Sequence, residues 1–343
     1  MNDVLGVDIG HGSVKLVLLD KAVDGVISLV NMGEYKVPIV DEKSVDKSKY
    51  FSEVSGSLKK ILNDLKIKSK QAVVSLSEND VISRLVRLPP MKDNEIMDAL
   101  KFEAETFVPY PLDEVSIDYE VIEKDDAGRL SVFVIAARND LIQMYVKMFR
   151  SLGIELVALE SPSVAYRRIV KNGIKTVERV IVMDLGEKYT DIFNINKGYT
   201  YFARSIPIGG ESLTRAISLG LGLDMNSAEE YKKAYGIKET ELEGKIRVVT
   251  LPVFNSITDE VRKTMALFSE DSGGKPVELL ILSGGGANLP GMAEELTKLL
   301  GIEVQVAQPF VNIDVAKSNV PFNLNTEGCR FSLAVGLSLR GLV

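Results

Sequence analysis

The chain has few residues of the kinds that build disulfides and zinc sites. Among its 343 residues there is one cysteine, Cys329, and one histidine, His11. A single cysteine cannot form an intrachain disulfide, which fits a protein of a reducing compartment. The same scarcity excludes a zinc site with several His or Cys ligands. It also excludes Ser-His-Asp catalysis at any site away from residue 11.

Long apolar runs and an excess of positive charge are absent as well. The longest apolar stretches, such as VFVIAA at 132–137, fall far short of the roughly 18 residues that span a bilayer. The N-terminus MNDVLGVDIG has no basic leader before an apolar core, so we expect no signal peptide. The formal net charge of −7 disfavours nucleic-acid binding through a basic surface. We therefore expect a soluble protein that binds no nucleic acid.

Two segments of similar construction are the most informative feature. VLGVDIGHGSVKLVLLD at 4–20 and VIVMDLGEKYTDIFNIN at 180–196 each place an apolar strand before Asp-x-Gly, a tight turn and a second strand. This repeat predicts a mixed α/β fold in two similar halves with a central cleft. Asp8 and Asp184 would then face each other, and a polyphosphate with its metal ion could be held between them.

The residues of the first hairpin suit a phosphate site. Gly10 and Gly12 permit a turn whose backbone N–H groups can approach an anion closely. Ser13 can donate a hydrogen bond, and Lys15 supplies a positive charge. Asp8 suits a water-mediated contact to Mg²⁺, which prefers oxygen ligands and keeps several waters. In the second hairpin the matching residues are Asp184, Gly186 and Thr190. For each hairpin alone, the alternative is a glycine turn with no ligand role. This alternative is less favoured because the same motif occurs twice.

Two glycine-rich segments are candidates for further ligand contacts. A triplet in SGGGANLPG follows a predicted strand and precedes a helix, where a nucleobase, ribose or phosphate can lie against backbone. A second glycine pair gives a tight turn before a helix that opens at Glu211-Ser212. Such glycines can also be present only because a loop needs their backbone freedom. The order of strand, glycine triplet and helix favours a ligand-binding role instead. The cofactor-binding residues predicted in these segments are Gly209, Gly210, Gly284, Gly285, Gly286 and Asn288.

Three charged residues are further candidates. Glu160, between the two halves, could orient a water toward a terminal phosphate, and it joins Asp184 as a candidate catalytic residue. Glu229 and Lys232 in SAEEYKK could reach the ribose and adenine across the cleft. The alternative for Glu160 is a solvated glutamate at the start of a helix. The alternative for Glu229 and Lys232 is an ordinary charged helix surface. His11 is expected to face solvent, because no second titratable group in its turn would orient it as a base.

The region between the hairpins predicts an inserted subdomain. A further strand is predicted near 26–37, after the first hairpin. An amphipathic helix over 43–68 is followed by a β-β-α-β-β-α block that would bury a small core of its own. A helix is predicted at 160–171, before the second hairpin. A mostly helical run to about residue 271 follows that hairpin, then a strand at 277–282 and a final helix at 331–341. The elements predicted for the block are strands at 71–77, 81–88, 116–123 and 129–137 and helices at 95–108 and 140–152.

In this order the segments resemble those of the actin-like ATPase superfamily. Its phosphate-1, connect-1, phosphate-2, adenosine and connect-2 segments match residues 8–15, 160–166, 184–191, 282–291 and 331–340. The resemblance implies a duplicated RNase H-like fold around a cleft for ATP and Mg²⁺, with Asp8 and Asp184 reaching the metal through water. The implied subdomains are 1A (1–70, 156–177, 325–343), the insert 1C (71–155), 2A (178–215, 277–324) and 2B (216–276).

Two departures from the superfamily affect this expectation. His11 stands where relatives more often carry a small hydroxyl residue. Ser161-Pro162 follows Glu160, where a second acidic residue would be usual, so we expect ATP hydrolysis to be slow at most.

The inserted block narrows the resemblance to the PilM family of type IV pilus assembly proteins. The similar segments are RLVRLPPM, FEAETFVPYPLDEVSIDYEV, IPIGGESLTRAI, SAEEYKK, ITDEVRKTMALF and FSLAVGLSLRGLV. The resemblance implies a cytoplasmic ATP-binding adapter, held at the inner membrane by protein partners. It would dock the N-terminal cytoplasmic peptide of PilN in a nucleotide-sensitive manner and contact the pilus secretion ATPases. Its oligomeric state stays open. Phe102 and Phe107 are predicted to lie in the insert core rather than in a partner groove.

Two other functions are alternatives. The cell-division protein FtsA shares this layout, and a polymerising scaffold of that kind is one alternative. FtsA normally carries a C-terminal linker and a membrane-binding helix, whereas this sequence shows none after connect-2, so we expect no direct membrane insertion. A small-molecule kinase is the other alternative, and it needs a base aspartate beside the γ-phosphate. No segment resembles a sugar site.

Overall fold

The computed structural model describes residues 4–37, 47–174, 176–316, 318, 320 and 323–342. The strands there are β1 (Val4–Ile9), β2 (Ser13–Lys21), β3 (Ile27–Lys36), β4 (Gln71–Ser75), β5 (Val81–Leu88), β6 (Val115–Lys124), β7 (Leu130–Arg138), β8 (Glu155–Glu160), β9 (Arg179–Leu185), β10 (Thr190–Asn196), β11 (Tyr199–Ile206), β12 (Leu279–Ser283) and β13 (Glu303–Val306). The helices are α1 (Lys47–Asp64), α2 (Asp93–Ala104), α3 (Asn139–Ser151), α4 (Pro162–Gly173), α5 (Gly210–Leu221), α6 (Met225–Tyr235), α7 (Lys245–Asp271), α8 (Met292–Leu300), α9 (Leu324–Glu327) and α10 (Ser332–Ser338).

Two of the three sheets in the described residues have the same topology. The first is ordered β3-β2-β1-β4-β8 and the second β11-β10-β9-β12-β13. In each sheet an antiparallel three-stranded meander continues into two parallel strands, joined through β1 and β4 in one and through β9 and β12 in the other. The duplication predicted from the two hairpins is therefore confirmed, and the fold is that of the actin-like ATPases.

The central strands are apolar over most of their length because both faces of each sheet are covered. In β4, Val73 packs in the core of the second half while Ala72 and Val74 pack in the core of the first half. Such continuous apolar runs are typical of strands buried on both faces. The amphipathic helix predicted over 43–68 is α1, whose Phe51, Val54, Leu58 and Ile61 are buried; residues 43–46 lie outside the described residues.

The insert is smaller than the β-β-α-β-β-α block predicted at 71–155. Its sheet is ordered β5-β7-β6, and α2 packs against it through Leu100 and Ile96. The strand β4 lies instead in the first sheet, between β1 and β8. Helix α3 also belongs to the first half, because its Tyr145 and Phe149 pack in the same core as α1. Thus β4 and α3 extend the core of the first half rather than that of the insert.

The insert touches the second half as well as the first. Ile122 and Phe133 of its sheet form a buried apolar cluster with Tyr201 of β11. Arg167 of α4 forms an ion pair with Glu120 of β6. The insert therefore lies against elements of both halves.

Helices α4 and α10 pack closely against each other and against the first sheet. A Cβ at Gly336 would overlap the backbone of Ala165, and a Cβ at Gly6 would overlap the backbone of α10. The helix predicted from residue 160 begins at Pro162, because Glu160 ends β8 and the Ser161 side chain caps the helix. These helices occupy the connect-1 and connect-2 segments.

Three strands were not predicted: β8, β11 and β13. The helical run after the second hairpin is divided into α5, α6 and α7. Across the described part of the chain, no helix combines the length and apolar character needed to cross a membrane.

Candidate functional site

The two hairpins place their charged residues at equivalent positions. In the first hairpin Asp8 lies directly opposite Lys15, and in the second Asp184 lies directly opposite Asp191. Both pairs are separated by seven residues in sequence. Lys15 Nζ is 3.4 Å from Asp8 Oδ2, so the first pair is an ion pair of buried side chains. The second pair consists of two carboxyl groups.

Asp8, Lys15 and Asp184 lie within electrostatic reach of one another. Burial disfavours the ammonium of Lys15, but the charges of Asp8, Glu34 and Asp184 outweigh this effect and raise its pKa. The ammonium is therefore firmly charged at neutral pH. Asp8 and Asp184, which were predicted to face each other, therefore form one electrostatic group with Lys15.

Asp184 is held in place by a tyrosine. Tyr166 of α4 donates a hydrogen bond from its hydroxyl to Asp184 Oδ2 at 2.6 Å, and the same hydroxyl lies 3.0 Å from Ser283 Oγ. Burial raises the pKa of Asp184 to about 6, and the nearby charge of Asp8 acts in the same direction. The Tyr166 hydrogen bond opposes this rise because it stabilises the carboxylate. Asp184 is thus largely ionised at pH 7 but close to its titration range.

Two acidic residues beside this group were missed by the sequence analysis. Burial, with the charge of Asp184, raises the pKa of Asp191 to about 7. Burial, with the charge of Asp191, raises the pKa of Glu78 to about 8. The seven-residue spacing shared with Asp8 and Lys15 could have identified Asp191. Glu78 follows β4 in a segment without a motif, so no sequence signal pointed to it.

The turn of the first hairpin is closed by its own backbone. Gly10 N donates to the carbonyl of Ser13 at 3.0 Å. The hydroxyl of Ser13, predicted to contact phosphate, donates instead to Glu34 Oε1 at 2.7 Å. Arg330 pairs with the other carboxylate oxygen of Glu34 at 3.2 Å. Ser13 therefore ties the hairpin to β3 and to the segment before α10.

The turn of the second hairpin is fixed by the start of α5. Gly210 N donates to Gly186 O at 2.9 Å, and Glu211 N donates to Glu187 O at 2.8 Å. A Cβ at Gly209 would overlap the carbonyl of Glu187, so this close approach requires glycine. The hydroxyl of Thr190 is also engaged, since it donates to the carbonyl of Ile208 at 2.6 Å. Gly209, Gly210 and Thr190 thus support the turn.

Within the glycine triplet only Gly285 faces open space. Gly284 has φ +81°, and a Cβ there would overlap the carboxylate of Asp184. A Cβ at Gly286 would overlap the side chain of Leu185. Among the described residues no atom lies within 4 Å of a Cβ built on Gly285. The triplet therefore packs directly against the Asp184 strand and leaves one glycine at its surface.

Asn288 and the Glu229–Lys232 pair have protein partners. Asn288 Oδ1 accepts a hydrogen bond from Cys329 Sγ at 2.9 Å. Lys232 Nζ donates to Gly210 O at 2.9 Å and to Thr214 Oγ1 at 2.7 Å, and it lies 2.6 Å from Glu229 Oε2. Burial lowers the pKa of Lys232. The pair joins α6 to the start of α5, which also anchors the second hairpin.

Glu160, predicted to position a water, is held between two arginines. Arg168 donates to its two carboxylate oxygens at 2.7 and 2.8 Å, and Arg340 pairs with one of them. These contacts join β8 to α4 and to the end of the α10 segment. The structure gives Glu160 a buried ion-pair role, and it does not bring Glu160 into the group formed by Asp8, Lys15 and Asp184.

The assembled site suits a phosphate with a hydrated metal ion. Lys15 provides a buried positive charge, and Asp8 and Asp184 provide carboxylates from opposite halves of the cleft. No group of three or more His, Cys, Asp or Glu residues in the described ranges is arranged to hold a metal ion. Mg²⁺ usually binds through one or two carboxylates, waters and substrate phosphates.

Comparison with known proteins gives consistent results. A solved structure described as the PilM-PilN type IV pilus biogenesis complex matches with a TM-score of 0.83 and 25% identity over 99% of this chain and 98% of that chain. MreB 5 of Spiroplasma citri, solved with AMPPNP, matches with a TM-score of 0.53 and 14% identity over 96% of this chain and 94% of that chain.

The curated relatives are longer proteins. The cell division protein FtsA of Staphylococcus epidermidis is 22% identical over 80% of this chain and 59% of its own length. Across the FtsA relatives the chain spans 34% to 65% of their length. The family model described as type IV pilus assembly protein PilM matches residues 6–342. With the duplicated fold and the facing hairpins, this match shows that the chain belongs to the PilM family of type IV pilus assembly proteins.

Proposed function

We propose that this protein is an ATP-binding adapter of the type IV pilus inner-membrane assembly complex. It docks the cytoplasmic N-terminal tail of PilN in a nucleotide-sensitive manner. The observation that carries the proposal is the pair of facing hairpins, with Asp8, Lys15 and Asp184 in one electrostatic group, in a chain of the PilM family. The match to a PilM-PilN complex supports PilN as the partner.

The residues of the cleft fit Mg-ATP. Lys15 neutralises phosphate charge, and the turn at Gly10 and Gly12 offers backbone to an anion. Asp8 and Asp184 would hold Mg²⁺ through water, and Gly285 leaves room beside the triplet for the nucleoside. When bound, Mg-ATP supplies a charged bridge between the two halves. The remaining predicted contacts act indirectly, since Gly186, Gly209, Gly210, Glu229 and Lys232 fix the second turn.

In this proposal the insert couples the cleft to the partner, and its contacts with both halves support that role. Its sheet packs on Tyr201 of β11 in the second half, while Glu120 pairs with Arg167 in the first half. A change in the angle between the halves must therefore shift or strain the insert. A peptide that prefers one arrangement of the insert is then coupled to cleft closure, and the coupling is reciprocal.

Turnover of ATP is slow in this proposal, because the ligand acts as a structural element. Glu160, which the sequence predicted to orient a water, has both carboxylate oxygens engaged by Arg168 and Arg340. Localisation at the inner membrane comes from PilN, and the secretion ATPases are further partners. No step requires the protein itself to enter the bilayer.

The test measures Mg-ATP binding and binding of a PilN tail peptide by calorimetry. Asp8→Ala and Asp184→Ala should each weaken Mg-ATP binding at least tenfold and lower peptide affinity in the presence of ATP. Glu294→Ala, an exposed carboxylate on α8, is the control for charge removal. Peptide binding that is unchanged when ATP binding is lost would refute the nucleotide sensitivity. Absence of Mg-ATP binding by the unaltered protein would refute the proposal as a whole.

A further inference from the structure

The tips of the two hairpins touch each other across the cleft. The rings of His11 and Tyr189 lie with their centroids 4.8 Å apart. Beside them, the carboxylate of Glu187 lies against Gly12, so closely that a Cβ at Gly12 would overlap it. A side chain of the second half therefore covers the turn of the first half.

The backbone that carries this carboxylate is held in place by hydrogen bonds to the start of α5. The backbone of Glu187 accepts a hydrogen bond from Glu211 N at the start of α5, and the neighbouring Gly186 accepts one from Gly210 N. A Cβ at Gly209 would overlap the same carbonyl of Glu187. With its backbone anchored in this way, the side chain of Glu187 extends from a fixed point toward Gly12.

The turn that Glu187 covers is the one suited to an anion. Gly10 and Gly12 lack side chains, so their backbone can be approached closely by negatively charged oxygen atoms. In the structure a carboxylate oxygen of Glu187, Oε2, fills the space beside Gly12 where a Cβ would stand. Two anions cannot share one small site without strong repulsion, because Coulomb energies rise steeply at short distance.

We propose that Glu187 is a tethered competitor of the terminal phosphate, which must displace it from Gly12 for the cleft to accept a nucleotide. This inference rests on the proposed nucleotide site. Its consequence is a lower affinity for Mg-ATP than the cleft would otherwise have. It also gives the second hairpin a side chain that moves when phosphate arrives, since Glu187 has to leave the first hairpin.

The test compares the Kd for Mg-ATP, measured by calorimetry, between the unaltered protein and three variants. Glu187→Gln should bind at least about tenfold more tightly, which corresponds to about 1.4 kcal/mol. Glu187→Asp should also bind more tightly, because the shorter side chain cannot reach Gly12. Glu294→Gln removes the same charge from an exposed site on α8 and should match the unaltered protein. Glu187 is itself largely exposed, so these substitutions should leave the fold intact.

Equal or weaker binding by Glu187→Gln would overturn the inference. Tighter binding by Glu187→Gln with unchanged binding by Glu187→Asp would also overturn the inference. The negative charge at residue 187 would then repel Mg-ATP from a distance, and the contact with Gly12 would not matter. No binding of Mg-ATP by any variant would refute the proposed nucleotide site, and the inference with it.

Discussion

Replacing Glu78 with glutamine should change how the stability of the protein depends on pH. Glu78 is buried between the first half and the insert, where Ser161 Oγ donates to its Oε2 at 2.9 Å and Ser83 Oγ lies 3.5 Å from its Oε1. Burial and the charge of Asp191 raise its pKa from 4.5 to about 8. The side chain is therefore mostly protonated in the folded protein at neutral pH.

The sign of the effect follows from proton binding. Between pH 4.5 and 8 the folded protein holds a proton at Glu78 that the unfolded chain releases. The stabilising contribution of Glu78 is thus complete below about pH 4.5 and is lost as the pH rises through about 8. Between pH 5 and 9 the loss is at most about 4 kcal/mol in the free energy of unfolding. Glutamine has nearly the same shape as glutamate and cannot ionise. The free energy of unfolding of Glu78→Gln should therefore not fall in this way as the pH rises.

Urea unfolding followed by circular dichroism at pH 5 to 9 measures the effect. The unaltered protein should lose free energy of unfolding relative to Glu78→Gln as the pH rises, and the variant should be the more stable one at pH 9. Glu294→Gln, at an exposed position, should follow the unaltered protein. Parallel curves for Glu78→Gln and the unaltered protein would show that Glu78 is not held protonated by its surroundings.

Three further substitutions probe other parts of the molecule. Gly336→Ala should lower the free energy of unfolding in urea by about 1–3 kcal/mol, because its Cβ would overlap the backbone of α4. Tyr166→Phe removes the hydrogen bond that keeps the pKa of Asp184 down, so Mg-ATP affinity measured by calorimetry should fall more at pH 6 than at pH 8. Phe102→Ala, at a side chain 72% exposed on α2, should weaken binding of the PilN tail several-fold without lowering stability.

Matched controls make these outcomes interpretable. Gly173→Ala should not destabilise, since no described atom lies within 4 Å of its Cβ; a similar loss in both glycine variants would refute the packing argument. For Tyr166→Phe, an equal loss of Mg-ATP affinity at pH 6 and pH 8 would show that Tyr166 does not act through the ionisation of Asp184. Leu219→Ala, 79% exposed on α5, should leave peptide binding unchanged. Unchanged binding by Phe102→Ala would exclude α2 from the docking surface.

Much of the fold could be predicted because both hairpins carry their own local signals. Each has an apolar strand, Asp-x-Gly and a second strand, and both form as expected. The assignment of β4 to the insert was wrong because sequence order does not reveal which sheet a strand joins. The run QAVVS is a buried strand in either arrangement, and only its pairing with β1 and β8 decides the matter. The prediction that Phe102 is a core residue was also wrong, since it lies on the exposed face of α2.

The site was predictable only to the level of residue type. Charge and spacing in the sequence pointed to Asp8, Lys15 and Asp184. Their positions follow from the strand register within each hairpin, which the local sequence largely sets. Hydrogen-bond partners depend on the tertiary arrangement, which is why Ser13 donates to Glu34 and Glu160 pairs with two arginines. A motif indicates that a polar side chain is near the cleft, but not which atom it faces.

The two halves share a topology, but their equivalent residues perform opposite electrostatic roles. Lys15 in the first half corresponds in position to Asp191 in the second, so the first hairpin pairs a carboxylate with a cation and the second presents two carboxyl groups. Burial keeps Asp184 and Asp191 close to protonation, which limits their mutual repulsion. A hydrated metal ion stabilises the ionised forms of such groups. In the proposed function, a metal–polyphosphate ligand therefore meets the cation Lys15 in the first half and carboxyl groups in both halves, so we expect it to bind across the cleft better than either ion alone.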